Sequence, residues 1–353
     1  MAVNATRFGA TGADDTALFL KTYTGSFIEP WRETTHFWNA PGNVIEKRTV
    51  SFGKQFQYLR MADLPAPDDF TPGDELLGQP FAVDEVNITP DKYLVTHQFV
   101  PRDHMKMSHF ETLPRLARSH AARLARAYDR RIAILACAAA RQTTAVTKNG
   151  LTVHKGGNRV TRTGGTTSSG TAVITTPFPA SAVGAANFRA DLRTLRRRMT
   201  EDQCPTDPMM WTRPDIGEVL SYDNTGQVWS RDYQDPNKIN ELSVMKLDGF
   251  NVANKMPNTT TNGGPLPDQN LTTESLSKYQ YNFLPQTSDG CPVAIALATS
   301  EDGGAAVGVA TFEDVQHHVG YYPEKMSWLV MSFLYVGAGI LDQWCAGSIE
   351  VIT

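Results

Sequence analysis

The 353-residue sequence has few cysteines and little net charge. Its four cysteines are Cys137, Cys204, Cys291 and Cys345. They lie far apart without a CxxC pair, so their spacing predicts neither a zinc site nor a redox disulfide, and we expect free thiols in a reducing cytosol. A formal charge of −4 is too small to imply a strongly polyanionic partner by itself. Any basic surface must therefore be local.

Long hydrophobic runs are also lacking. The most apolar stretch, residues 327–341, contains two glycines and is too short to cross a bilayer comfortably, so a buried strand is expected there. The first residues, MAVNATRFGATGADD, have no charged-then-apolar leader, and we attribute the N-x-[ST] sequons to chance. We therefore expect folding in a cytoplasm and no membrane partner.

The motifs of common catalytic sites are missing. The sequence has no GxxxxGK[ST], HExxH or GxSxG, and no GxGxxG between a strand and a helix. This weakens an enzymatic interpretation without abolishing it, because residues distant in sequence can converge in a fold. His317 and His318 would point to opposite faces of a strand and cannot easily share a metal. We predict no catalytic residue, no metal ligand and no cofactor.

Residues 44–59 and 83–100 are rich in β-branched and aromatic residues and predict strands. Residues 60–81 between them are rich in proline and carboxylates, which predicts a projecting hairpin tip. The candidate inter-subunit residues of this tip are Asp68, Asp69, Phe70, Asp74 and Glu75. The acidic residues could bind a divalent cation, but their spacing is not that of a calcium loop. A long ribbon is marginally stable alone, so it should lie on another molecule or another part of the fold.

Residues 114–141 predict a long helix with two opposed faces. The apolar or small face consists of Ala117, Ala121, Leu124, Tyr128, Ile132, Leu135 and Ala139. The opposite arc carries Arg115, Arg118, Arg123, Arg126 and Arg130. Three uses of these arginines stay open: a solvated surface, contact with nucleic-acid phosphates, or pairing with carboxylates such as Asp68 or Asp69 of a neighbouring subunit.

The rest of the chain predicts a mixed α+β protein. Residues 14–38 suggest a short helix before Gly25 and a partly extended arm after it. Residues 142–179 suggest a turn-rich or weakly stranded surface insertion without a core. A helix should begin near Ser181 as its N-cap, followed by strands and one short helix. The C-terminal part predicts four strands in one antiparallel sheet against the long helix.

The order of these parts resembles that of tailed-phage major capsid proteins with the Hong Kong 97-type fold, most closely those of short-tailed podophages. ALFLKTYTGSFIEPW resembles the family's arm, and SFGKQFQYLRMADL with TPGDELLG resembles its extended loop. LPRLARSHAARLARAYDRRIAILACAAA resembles its spine helix. DPMMWTRPDIGEVL and DGFNVANKMPN carry a looser similarity in the following domain.

The resemblance implies an N-terminal arm (1–43), an extended β-hairpin loop (44–100) that reaches over the adjacent subunit, a peripheral domain (101–179 and 291–353) with the spine helix, and an axial domain (180–290). It implies pentamers and hexamers in an icosahedral virion shell around double-stranded DNA, assembled in the host bacterial cytoplasm. The implied partners are copies of the chain, a separate scaffolding protein, a portal, the packaged DNA and a decoration protein. The alternatives are a nanocompartment shell of the same fold and a soluble enzyme with a dispersed site.

Overall fold

A computed structural model describes most of the chain. The described residues are 15–40, 44–50, 53–62, 65–67, 69, 75, 78–101, 112–168, 170–202, 204, 208–222, 246–253, 275–282, 284–300 and 304–353. The chain divides into two compact units. The first comprises Met1–Ala40, Pro90–Asp129 and Thr311–Gly337, and the second comprises Pro41–Thr89, Arg130–Ala310 and Ala338–Thr353.

The elements confirm the mixed α+β class. The helices are α1 (Asp15–Thr34), α2 (Thr112–Arg141), α3 (Ala182–Glu201) and α4 (Pro214–Ser221). The strands are β1 (Ile45–Thr49), β2 (Phe56–Met61), β3 (Val83–Ile88), β4 (Leu94–Pro101), β5 (Val146–Lys148), β6 (Leu151–His154), β7 (Asn158–Thr163), β8 (Thr166–Ser168), β9 (Thr171–Val173), β10 (Met209–Thr212), β11 (Lys246–Leu247), β12 (Phe250–Ala253), β13 (Cys291–Leu297), β14 (Val307–Tyr322), β15 (Ser327–Ile340) and β16 (Ala346–Ile352).

In the first unit, α1 is longer than predicted. It continues through Gly25 to Thr34, so the expected extended arm after Gly25 is wrong for these residues. The reason is a buried face of aromatic residues four positions apart, namely Tyr23, Phe27 and Trp31. Burying three large rings outweighs the roughly 1 kcal/mol that a glycine costs inside a helix.

Helix α2 confirms the predicted long helix with a buried apolar face. It ends at Arg141 as expected and begins two residues earlier than predicted, at Thr112. Every residue of the predicted apolar face is buried. In the first unit, β15 pairs antiparallel with β4 from Ser327↔Pro101 to Leu334↔Leu94, and the strand order β14-β15-β4 leaves β4 at an edge.

The second unit is built on a six-stranded sheet with the order β11-β12-β10-β13-β16-β7. Helix α3 packs on β7 and β16, and the Leu195 side chain lies so close to Gly347 that a Cβ there would meet it at 2.8 Å. The predicted N-cap is confirmed, since the Ser181 hydroxyl accepts a hydrogen bond from the Gly184 amide at 3.5 Å.

Two sequence predictions for the sheets are wrong. Residues 142–179 do contain core: β7 runs parallel to β16 as the last strand of the six-stranded sheet, and Val160, Ile174 and Phe178 are buried. The four C-terminal strands exist but belong to two sheets, because β13 pairs with β16 whereas β14 and β15 pair with each other. In both cases the pairing partner is distant in sequence, so local alternation could not indicate it.

Candidate functional site

The predicted hairpin is formed by β2 and β3, which pair from Phe56↔Ile88 to Met61↔Val83. Large apolar side chains project from it into solvent: Leu59, Met61 and Phe81 are 69%, 59% and 55% exposed. With Val83 they form what we call the hairpin apolar patch. Contiguous exposed apolar groups are uncommon on a monomer and mark an interaction surface.

The end of the β2–β3 ladder nearest the tip is fixed by apolar contacts and by charge. Ala62 and Ala82 pack with Val153 of β6. The Asp84 carboxylate contacts the Lys148 ammonium, and a hydrogen bond from Lys148 lowers the pKa of Asp84. On the other strand, Arg60 Nε lies 3.0 Å from the buried Asp342 carboxylate. The ladder is thus held on the second unit up to the residues where the tip begins.

The buried His154 joins the same charge network. Its Nε2 lies 3.2 Å from an Asp84 oxygen and its Nδ1 lies 3.8 Å from Asp342. Burial lowers the pKa of His154 despite the opposing effect of Asp84. The imidazole is therefore neutral at pH 7, and the network is a structural anchor for the hairpin.

The predicted tip residues are partly described. Asp69 and Glu75 are exposed, whereas Asp68, Phe70 and Asp74 lie outside the described residues. Within the part of the chain that the structure describes, no group of three or more His, Cys, Asp or Glu side chains could hold a metal ion.

The five arginines of the predicted arginine face differ in their exposure to solvent. Arg115, Arg118 and Arg123 are exposed, and Arg126 and Arg130 are half-buried. Arg123 lines an open groove of about 540 Å³ between β4 and α2. The groove is lined by Val95, Thr96, His97, Gln98, Ser119, His120 and Arg123. Its lining contains a guanidinium and hydrogen-bond donors but no carboxylate, which suits an anion.

The sheet of the first unit also exposes apolar side chains on one face. We call Tyr93, Val95, Phe99 and Tyr322 the sheet apolar patch; each is more than a third exposed. The rings of Phe99 and Tyr322 meet edge to face with centroids 5.8 Å apart. Val95 and Phe99 share a face because side chains alternate along β4.

Behind this surface lies a buried polar network that the sequence did not reveal. The Tyr23 hydroxyl lies 2.8 Å from His120 Nδ1 and 2.7 Å from the Ser332 hydroxyl, which in turn lies 3.1 Å from His317 Nδ1. Burial raises the pKa of Tyr23 to about 12 and lowers the pKa of His120 and His317 to about 4. Both imidazoles are therefore neutral at pH 7. Four residues that are far apart in the chain hold the first unit together through neutral hydrogen bonds.

Among the described helices, none combines the length and apolar character required to span a membrane.

Known proteins resemble this chain in structure but not in sequence. No family model and no curated protein sequence matches the chain. A solved structure of the capsid of cyanophage P-SCSP1u matches with a TM-score of 0.65 at 19% identity, covering 90% of this chain and 88% of that one. The mature capsid of bacteriophage PhiM1 matches with a TM-score of 0.65 at 14% identity over 90% and 87% of the two chains.

The capsid of a native GTA particle matches with a TM-score of 0.52 at 13% identity, covering 88% of this chain and 89% of that one. Each of these structures is a capsid, and each match includes nearly the whole chain. At such low identity the similarity lies in the backbone, which explains why sequence comparison finds nothing. The chain therefore has the fold of bacteriophage capsid proteins.

Proposed function

We propose that the chain is the major capsid protein of a tailed phage and builds an icosahedral shell from pentamers and hexamers around double-stranded DNA. The observation that carries this proposal is the capsid fold over 90% of the chain. This fold supports a structural role over an enzymatic one. In the Hong Kong 97-type scheme, residues 1–43 are the arm, 44–100 the extended loop, 101–179 and 291–353 the peripheral domain, and 180–290 the axial domain.

Two apolar surfaces on one subunit suggest how neighbours bind each other. The hairpin apolar patch projects from the second unit, and the sheet apolar patch lies on the first unit. We propose that the hairpin of one subunit covers the sheet of the next, so that both patches leave water. Burial contributes about 25 cal/mol per Å² of apolar surface, and the contact is repeated at every subunit of a ring.

The charges in these regions are compatible with that arrangement. The hairpin tip carries the exposed carboxylates Asp69 and Glu75. The groove beside the sheet contains Arg123 and His97 and no carboxylate. A neighbour's tip and a DNA phosphate are both anions, so the groove arginine can serve either inter-subunit pairing or DNA contact.

The shell hypothesis also implies partners beyond copies of the chain. We propose a separate scaffolding protein to set the shell's curvature, a portal at one vertex, and a decoration protein on the outside. The protein's location is then the virion capsid, after assembly in the host bacterial cytoplasm.

The cargo of assembled particles tests this function. Particles isolated from a virus-producing culture should contain DNA that survives nuclease until the shell is opened. The measurement is nucleic acid recovered from purified particles after nuclease treatment. Particles that enclose a protein instead would establish the nanocompartment alternative, and a small oligomer that never forms particles would support the enzyme alternative.

The exposed arginines permit a separate prediction. Replacing Arg118 and Arg123 with glutamine, together with the half-buried Arg126, should reduce DNA retention or shell assembly while leaving the fold intact, because each change removes a charge without removing the side-chain stem. If the arginines contact phosphates, retention should fall more steeply with salt in the wild type than in the variant. If they pair with a neighbour's tip, particle yield should fall before any DNA enters.

The matched control for the arginine variant is Arg197→Gln. Arg197 is 71% exposed, and among the described residues its ion pair is with Glu201 of its own helix, at 3.7 Å. This change should alter neither particle yield nor DNA retention. If filled particles form normally with all three glutamines at every salt concentration, the arginines contact neither DNA nor a neighbour and form only a solvated surface.

A further inference from the structure

The fold brings together two cysteines that are 141 positions apart. Cys204 follows the end of α3, and Cys345 ends the short 3-10 turn Gln343–Cys345 before β16. Their sulfur atoms are 3.7 Å apart and both side chains are fully buried. Both belong to the second unit. All four cysteines are free thiols, as predicted, but their spacing in the sequence did not indicate that two of them lie in contact.

The backbone holds both cysteines in place. The Cys204 amide donates to the Met199 carbonyl at 2.9 Å, and the Cys345 amide donates to the Asp342 carbonyl at 3.2 Å. The competing contacts of the thiols are weak, since Cys204 Sγ lies 3.6 Å from the Trp344 carbonyl and Cys345 Sγ lies 3.7 Å from that of Gly304. The two sulfurs therefore face each other at van der Waals contact with no atom between them.

We propose that Cys204 and Cys345 are a modification site, at which a disulfide forms once the protein leaves a reducing environment. The link would join the end of α3 to the start of β16. To form the bond, the sulfurs must approach from 3.7 Å to about 2.0 Å. The proposal uses the proposed function only for its setting, because a shell that leaves a lysed host enters an oxidising medium.

The oxidation of the two thiols by a peroxide balances in atoms and electrons. One thiol attacks hydrogen peroxide, the O–O bond breaks, and a sulfenic acid and one water form. The second thiol attacks the sulfenic sulfur, the S–S bond forms, and a second water leaves. Two thiols and one peroxide thus give one disulfide and two waters. Because both thiols are fully buried, a peroxide reaches them only through local opening of the fold.

The environment makes this oxidation slow and dependent on pH. The hydrogen bond with Cys204 and burial raise the pKa of the Cys345 thiol, so little of the reactive thiolate exists at pH 7. Reduced protein should therefore persist in a cytosol, and the link should form over a longer exposure. Once formed, it closes a long loop of the unfolded chain and should raise the melting temperature.

The test uses the purified full-length chain, whatever its assembly state. The protein is treated with hydrogen peroxide at pH 8, denatured, alkylated and digested for mass spectrometry. The expected result is a peptide pair linked through Cys204 and Cys345, absent after reduction, and a melting temperature several degrees above that of the reduced protein. Cys204→Ser should abolish the link and the rise, whereas Cys291→Ser should retain both.

Oxidation is repeated a few degrees below the melting temperature, so that burial alone cannot prevent the reaction. If Cys204 and Cys345 then remain alkylatable, or reach sulfinic acid without a linked peptide, the proposal is overturned. The peptide map of the wild-type protein decides this even if a serine variant does not fold. Because the reaction occurs within one chain, its failure would leave the shell function untouched, and failure of shell formation would leave the linked peptide observable.

Discussion

Deletion of residues 61–80 is expected to leave a folded, soluble chain that builds no shells. The deletion removes Met61 and the tip but retains Arg60 and Asp84, whose contacts hold the end of the ladder nearest the tip. These two residues are also opposite each other in the ladder, so Phe81, Ala82 and Val83 can close the shortened hairpin beyond them. The second unit keeps its fold, while the tip that would reach the neighbour, with its carboxylates Asp69 and Glu75, is lost.

A milder variant tests the apolar contact itself. Leu59→Ser, Met61→Ser and Phe81→Ser together should reduce particle yield at least tenfold, because each buried side chain of this size contributes roughly 1.5–3 kcal/mol and the contact is repeated around every ring. Yield is measured by sedimentation and negative-stain electron microscopy. Circular dichroism should be unchanged, since these side chains are in solvent in the single subunit.

The matched control for the hairpin is the pair Gln57→Ser and Asn87→Ser. These residues are opposite each other on the same ladder, and both are exposed and polar. Their replacement should leave particle yield unchanged. Normal particles from the deletion variant would rule out a role for the tip. Equal losses from the polar control and the apolar triple variant would rule out the proposed role of the hairpin apolar patch.

Acid is expected to destabilise the first unit through its buried histidines. The pKa of His120 is about 4 in the folded protein, mainly because of burial, and nearby Arg123 and His97 lower it further. The unfolded chain binds this proton near pH 6.5, so it binds more protons than the folded state between these values. Stability is therefore complete above pH 6.5 and is lost as the pH falls toward 4, by about 3 kcal/mol for a shift of this size.

The groups that face His120 support this loss of stability in acid. Its hydrogen-bond partner within the described residues is the Tyr23 hydroxyl, and the charged or titratable neighbours are Arg123 and His97. None of these is an anion that would stabilise an imidazolium. The measurement is urea unfolding of the chain at several pH values from 7 to 4.

The variants for the acid experiment are His120→Gln and His318→Gln. The first should make the pH dependence clearly shallower, because glutamine cannot take up the proton, but not flat, because His317 also has a pKa of about 4. Its stability at pH 7 should be lower than that of the wild type. The second is the control, since His318 is exposed on β14 and its loss should leave the slope unchanged. A wild-type unfolding free energy that is constant from pH 7 to 4 would contradict the assignment of His120 as buried and neutral.

Features that depend on neighbouring residues could be predicted from the sequence. The buried face of α2 and the Ser181 cap of α3 follow from spacing within a few residues, and both are confirmed. The sequence did not indicate the hairpin apolar patch, because its exposed residues alternate with partly buried ones. Only the pairing of β2 with β3 shows which face of the hairpin is exposed to solvent.

Features that depend on distant partners could not be predicted. The position of β7 at the edge of the six-stranded sheet requires β16, which is almost two hundred residues away. The Tyr23 hydroxyl meets Ser332 across 309 positions, and Cys204 meets Cys345 across 141. No local pattern encodes such contacts. The roles assigned to the acidic tip and to the arginines remain predictions, with Asp68, Phe70 and Asp74 outside the described residues.

The most direct test is a reconstruction of assembled particles by electron cryomicroscopy, with the position of the β2–β3 hairpin as the measured quantity. The account predicts rings of five and six subunits in which Leu59 and Met61 of one subunit contact Val95 and Phe99 of its neighbour. A particle in which this hairpin faces solvent, or a preparation that contains only small oligomers, would contradict the account.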